Sequence, residues 1–219
     1  RGNLFLSHTH WDHIMGIPFF VPFYVPGNKF TVYGAHEDIK GRLVNQQRLQ
    51  YFPVSFDSLS STIDFVVLKE MNEVRIGSAV ITLKEMAHPG KSYAYRVDYQ
   101  GKSFVYATDS EYKSLRSIEL QPTIDFFKDA DLLIFDSQYT FIEGIEKKDW
   151  GHSSSFIGVD IALEAKVKRL ALFHHEPTYS DFKLMEVYEL TQKYLKVVAP
   201  KSQLKLLLSH EGLTLDLLE

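Results

Sequence analysis

Cysteine is absent from the 219 residues, which excludes disulfides, thiolate metal sites and cysteine nucleophiles together. Any bound metal must therefore sit on His, Asp or Glu. No apolar run reaches the roughly 18 to 20 residues of a membrane-spanning helix, and the N-terminus lacks a signal-peptide layout, so the expectation is a cytoplasmic protein with no membrane partner. An excess of positive charge is missing too. Lys and Arg number 24 against 28 Asp and Glu, so no global field recruits nucleic acid, although a local basic patch is compatible with the total. Repeats, low-complexity tracts and linkers are lacking, and one domain over 1–219 is expected. The chain opens at Arg1 and enters an apolar strand almost at once, so it reads as a piece of something longer.

Periodicity predicts a mixed α/β chain. A short strand over 3–8 runs into a helical turn interrupted by Pro18 and Pro22; a strand "KFTVYG" and a helix over 38–52 follow. Strands over 62–69, 74–88, 92–100 and 102–109 suggest an antiparallel series, with "YQGK" as a hairpin signal. The second half alternates: helix 123–130, strand 131–137, helix 154–167, strand 168–175, helix 180–196, then two closing strands over 203–218.

The chemistry concentrates in "LSHTHWDHIMG". His8 and His10 stand two apart at a strand end, where the period of two sends both imidazoles to one side; Asp12 and His13 then enter the next turn. Four such donors can serve two ions of the Zn²⁺, Mn²⁺ or Fe class.

The pattern H-x-H-x-D-H followed by Gly16 resembles the signature of the metallo-β-lactamase superfamily of metal-dependent hydrolases. The resemblance implies a further histidine, met by His88 in "EMAHPG", an aspartate between two metals, met by Asp109 in "VYATDSE", and a last histidine, met by His174 in "LALFHH" with His175 as its rival. It implies one ion on His8, His10 and His88, a second on Asp12, His13 and His174, and Asp109 between them, with zinc first and Mn or Fe as alternatives. It also implies an αββα four-layer sandwich, here apparently lacking its N-terminal strands. Such a chain is expected to be poorly soluble or to pair with another copy or a missing segment.

Asp12 sets the form typical of hydrolytic rather than oxygen-reducing members. Asp136 in "LLIFDSQY" and His152 in "WGHSSSFIG" are similar to the carboxylate and imidazole with which RNase Z-like phosphodiesterases act on the leaving group. Ser153 and Ser154, at the start of the next helix, are candidate substrate-phosphate ligands or simple caps. Aromatics in "FFVPFYVPGNKF" and "QYFPVSF" are core packing or a wall for a flat group, and His36 and His210 are expected on the surface. The expected function is a binuclear-metal phosphodiesterase, with Asp12, Asp136 and His152 in its catalytic machinery, acting on a small-molecule or nucleotide phosphodiester. Carboxylic-ester or lactone hydrolysis and a metal-binding sensory domain are the alternatives. The slightly acidic charge and the lack of a Gly/Pro/Lys-rich arm argue against tRNA as a partner.

Overall fold

A computed structural model describes residues 1–70, 72–112 and 117–218. The chain divides into two compact units, residues 1–72 and 73–219.

In the first unit, β1 (Gly2–Phe5), β2 (Lys29–Gly34) and β3 (Thr62–Val67) form a sheet in the order β1-β2-β3 with both pairs parallel. Parallel neighbours need long crossovers. The first contains α1 (Trp11–Ile14) and two 3-10 turns, each with a proline in its first two positions, where the missing N–H costs nothing; the second contains α2 (Ile39–Gln46). Phe30 and Val32 of β2 alternate inward onto Ile39 and Leu43 of α2. Phe23 packs edge-on against Phe20 at 4.9 Å and Phe30 at 5.0 Å, so these aromatics are core. Phe19 and Tyr51 stay exposed.

The second unit holds β4 (Val74–Ile76), β5 (Ala79–Met86), β6 (Ser92–Tyr99), β7 (Lys102–Ala107), α3 (Ser117–Phe127), β8 (Leu132–Asp136), α4 (Phe141–Glu146), α5 (Ser155–Glu164), β9 (Arg169–Phe173), α6 (Asp181–Val198) and β10 (Lys205–Leu208). Its sheet runs β10-β9-β8-β7-β6-β5-β4, antiparallel from β4 to β7 and parallel from β7 to β10. Gln100 and Gly101, at φ 49° and 74°, make the tight β6–β7 turn that the right-handed strand twist favours. α5 packs on β8 and β9, where Val159 and Ala162 join Leu133, Phe135, Leu170 and Leu172 in the core.

Four sequence expectations change. β3 lies parallel in the first sheet, not in the antiparallel series, because alternation marks a strand but not its partner. α2 stops at Gln46 and the chain turns through 48–52, since Pro53 disfavours helix at the residue before it and Gln47 Nε2 donates to Val54 O at 3.2 Å. α3 begins six residues earlier than expected and carries Pro122 inside it. Of the two closing strands expected over 203–218, only β10 forms among the described residues: Gly212 turns the chain at φ 82°, and Asp216 accepts from Leu218 N at 2.7 Å and from Arg169 through its carbonyl. α4 was not anticipated, although its capping box, Thr140 with Glu143, is written in the sequence.

Two glycines test the packing. A Cβ at Gly158 of α5 would meet the Phe135 ring at 2.7 Å, whereas one at Gly144 of α4 would meet nothing within 4 Å. Gly158→Ala is expected to destabilise the protein by about 1–3 kcal/mol through overpacking. Gly144→Ala is expected to stabilise it by up to about 1 kcal/mol through helix propensity. Denaturant unfolding of both variants checks the pair; a stabilising Gly158→Ala contradicts the packing.

Candidate functional site

In the first unit, the chain leaves β1 and reaches α1 through Ser7, His8, Thr9 and His10. His10 is the N-cap of α1 with extended backbone, and His13 N donates to His10 O at 3.1 Å, closing the first turn of the short helix. The His8 ring lies 4.6 Å from that of His10 and 4.2 Å from that of His13. His13 Nε2 is 3.1 Å from Asp12 Oδ2. Two α2 side chains buttress this turn: Gln46 Nε2 donates to Ile14 O at 2.8 Å, and Arg42 Nη1 donates to Thr9 Oγ1 at 2.9 Å. Three imidazoles this close offer a set of nitrogen donors of the kind a divalent ion takes. His36, expected on the surface, is buried, because it follows directly on the inner strand β2.

In the second unit, the candidate residues stand at strand ends. His88 follows β5, Asp109 follows β7, Asp136 ends β8 and His174 follows β9. Asp109 and His174 both hold left-handed backbone, at φ 50° and 56°. Non-glycine residues adopt that conformation rarely; in this chain it serves tight turns, as at Gln100, as well as these two strand ends. Each Asp109 oxygen faces a different ring: Oδ2 is 3.6 Å from His88 Nε2 and Oδ1 is 3.4 Å from His174 Nε2. These separations are long for hydrogen bonds. They match the edge of a tetrahedral coordination sphere, about 3.3–3.5 Å for ligands about 2.0–2.1 Å from the ion. The donor geometry therefore fits divalent ions.

The supporting bonds fix which ring atoms are presented. His88 Nδ1 lies 2.9 Å from Gly151 O, which makes Nδ1 the donor and leaves Nε2 to act as a ligand. Gly151 has φ 88°, and a Cβ there would sit 2.3 Å from His88 Nδ1, so this approach requires glycine. Glu111 holds the same loop, accepting from Asp149 N at 2.9 Å and Gly151 N at 3.2 Å. Neither Glu111 nor Gly151 was singled out from sequence, since a carboxylate that binds backbone has no motif. The Asp136 carboxylate accepts from His152 Nδ1 at 2.7 Å and from the N–H groups of Ser110, Gln138 and Ser153 at 3.1–3.3 Å. The His152 ring stacks on His174 at 5.0 Å and meets His88 at 5.1 Å. The nearest donor atoms of Asp136, His152 and His174 lie within 4.8 Å of one another.

Two candidates take different places. Ser153 Oγ donates to Ser110 O at 2.5 Å, so its hydroxyl hydrogen ties the loop. What it offers outward is acceptor lone pairs, which an anion does not seek. Ser154 is the N-cap of α5, its hydroxyl buried and making no side-chain cap bond. His175, the rival to His174, directs Nε2 to Ser209 O at 3.1 Å, and burial holds its pKa below the usual histidine range. Glu176 accepts from Gln138 Nε2 at 3.1 Å and from Thr178 Oγ1 at 3.1 Å.

A family model described as a beta-lactamase superfamily domain matches residues 3–175. A ribonuclease Z of Sulfurisphaera tokodaii is 51% identical over 61 residues, which cover 28% of this chain and 20% of that protein. The match thus spans about a fifth of the relative's length. Among solved structures, the metallo-beta-lactamase fold protein YhfI of Bacillus subtilis superposes with a TM-score of 0.70 at 24% identity, over 96% of this chain and 75% of that one. The short form of human tRNase Z superposes at 0.65 and 15% identity, over 96% and 68%. These likenesses overturn the argument against tRNA. Net charge sums over the whole chain, while contact with RNA needs only a local set of cations, so an acidic total carries little weight. By the extent of the family match and the fold it shares with these structures, the chain belongs to the beta-lactamase superfamily.

Proposed function

We propose that the protein is a metal-dependent hydrolase that cleaves phosphodiester bonds. The observation that carries this reading is the Asp109 carboxylate, with its two oxygens facing two different imidazole Nε2 atoms at 3.4 and 3.6 Å. Following the family's pattern, His8, His10 and His88 would hold one divalent ion, Asp12, His13 and His174 a second, and Asp109 both. Zinc suits these borderline nitrogen and oxygen donors; Mn or Fe would suit the same set. When bound, the ions supply Lewis acidity and activate water near neutral pH.

The chain's own residues do the rest. Asp136 accepts from Nδ1 of His152, fixes its tautomer and turns the ring so that Nε2 is the atom that hands a proton to the departing oxygen. Three backbone N–H bonds hold Asp136 in turn, so the pair is built before substrate arrives. Beside His152, a cavity of about 250 Å³ is lined by Tyr112, Phe141, Ile145 and Ile157, with Lys148 and Glu111 as its charged residues. Its apolar walls suit a flat organic leaving group. Ser153 serves as a loop tie in this scheme, and Ser154 remains the candidate donor to substrate.

Elemental analysis combined with hydrolysis of bis(p-nitrophenyl) phosphate tests the reading. About two metals per chain are expected, with activity lost on chelation and restored by Zn²⁺ or Mn²⁺. His152→Ala is expected to keep its metal while kcat falls about 10²- to 10⁴-fold. Turnover of p-nitrophenyl acetate with none of the phosphodiester would assign the site to carboxylic esters instead.

The loop that orients His88 makes a separate prediction. Glu111→Ala and Gly151→Ala are each expected to weaken metal binding by about 10- to 100-fold, while circular dichroism stays unchanged. Competition with a chromogenic chelator gives the affinity; wild-type affinity in both variants would remove the loop from the design.

A further inference from the structure

The four parallel strands β7 to β10 have two sets of ends, and Asp109, Asp136 and His174 stand at the C-terminal set. At the other end, Lys102 opens β7, Asp131 precedes β8, Lys168 precedes β9, Arg169 opens β9 and Lys205 opens β10. With Lys166 they line one pocket of about 690 Å³. That volume lies within the range of about 300–1,000 Å³ usual for small-molecule sites. Strands of four to six residues at about 3.3 Å per residue separate it from Asp109, Asp136 and His174 by about 15–20 Å.

The pocket's charge is out of balance. Arg169 and Lys205 are direct partners in the parallel β9–β10 register, and Lys205 N donates to Lys168 O at 3.0 Å, so three cations share two adjacent strand starts. Like charges side by side on neighbouring strands cost stability. The lining supplies one carboxylate, and it is taken: Asp131 accepts from Lys168 Nζ at 2.8 Å and from Ser103 N at 2.9 Å. Arg169 is fixed by carbonyls rather than acids, donating from Nε to Asp131 O at 3.3 Å and from Nη1 to Asp216 O at 3.1 Å. Its guanidinium is therefore positioned without being neutralised. Lys102, Lys166, Arg169 and Lys205 make no ion pair among the described residues. A fixed guanidinium with several lysines around a concavity is the arrangement that recognises phosphate oxygens.

We propose that this pocket binds a small anion carrying two or more phosphate groups, at a site separate from the strand ends that carry Asp109, Asp136 and His174. The inference stands on the second unit alone and does not depend on the hydrolase reading. Inorganic polyphosphate and nucleoside polyphosphates share the chemistry; comparing pyrophosphate with ATP separates them, since tighter binding of ATP means that the nucleoside is read as well.

The test is calorimetric titration of the whole chain with pyrophosphate and with ATP, paired with amide chemical-shift mapping. Saturable binding is expected, with shifts at 102, 131, 166–169 and 202–205. The K166Q/K205Q double variant is expected to lose about tenfold or more in affinity, as charge-assisted contacts are removed, with an unchanged circular dichroism spectrum. Four results would each overturn the proposal: no saturable heat, shifts confined to 109–111, 136–138 and 152–154, wild-type affinity in the double variant, or binding of an RNA oligonucleotide here by a protein that leaves pyrophosphate unbound.

Discussion

Parallel pairing of β7, β8 and β9 is the constraint on which the chemistry of the second unit rests. In a parallel sheet every strand ends on the same side, so residues far apart in sequence arrive together without any contact between their own segments. Asp109, Asp136 and His174 are assembled in this way. Register then decides the fine placement, with Ala107 opposite Phe135 and Asp136 opposite Phe173. A slip of one residue in any pair would turn one of these side chains away from the others.

Around those strand ends, the supporting layer is mostly backbone. Gly151 O orients His88, the amides of Ser110, Gln138 and Ser153 hold Asp136, and Glu111 holds the loop that carries Gly151. Backbone groups in a hydrogen-bonded loop have little freedom, so the side chains they grip are placed before anything binds. The left-handed conformations of Asp109 and His174 belong to the same economy: the surrounding sheet over-determines them, and each turns a donor toward the other.

The strand polarity also separates charge. Carboxylates and imidazoles gather at one end of β7 to β9, and lysines and an arginine gather at the other. Within one sheet, the fold thus holds acidic and imidazole side chains at one set of strand ends and a cluster of basic ones at the other.

How much was legible in the sequence follows from the range of each interaction. The cluster His8, His10, Asp12 and His13 is local, within six residues, so its spacing alone carried both the family resemblance and the chemistry. His88, Asp109, Asp136, His152 and His174 were reachable only as ordered demands of that resemblance, because nothing local joins them. Alternation and helical periodicity located most strands and helices, and the α/β class followed. What only the tertiary structure decided was partnership. It placed β3 parallel beside β2, joined Glu111 to a loop some forty residues away, committed the Ser153 hydroxyl to Ser110, and brought Lys102, Lys166, Arg169 and Lys205 around one pocket. The physical reason is that local pattern records which face of a segment seeks burial, whereas the identity of the neighbour is settled by sheet register and loop closure, which no single segment contains.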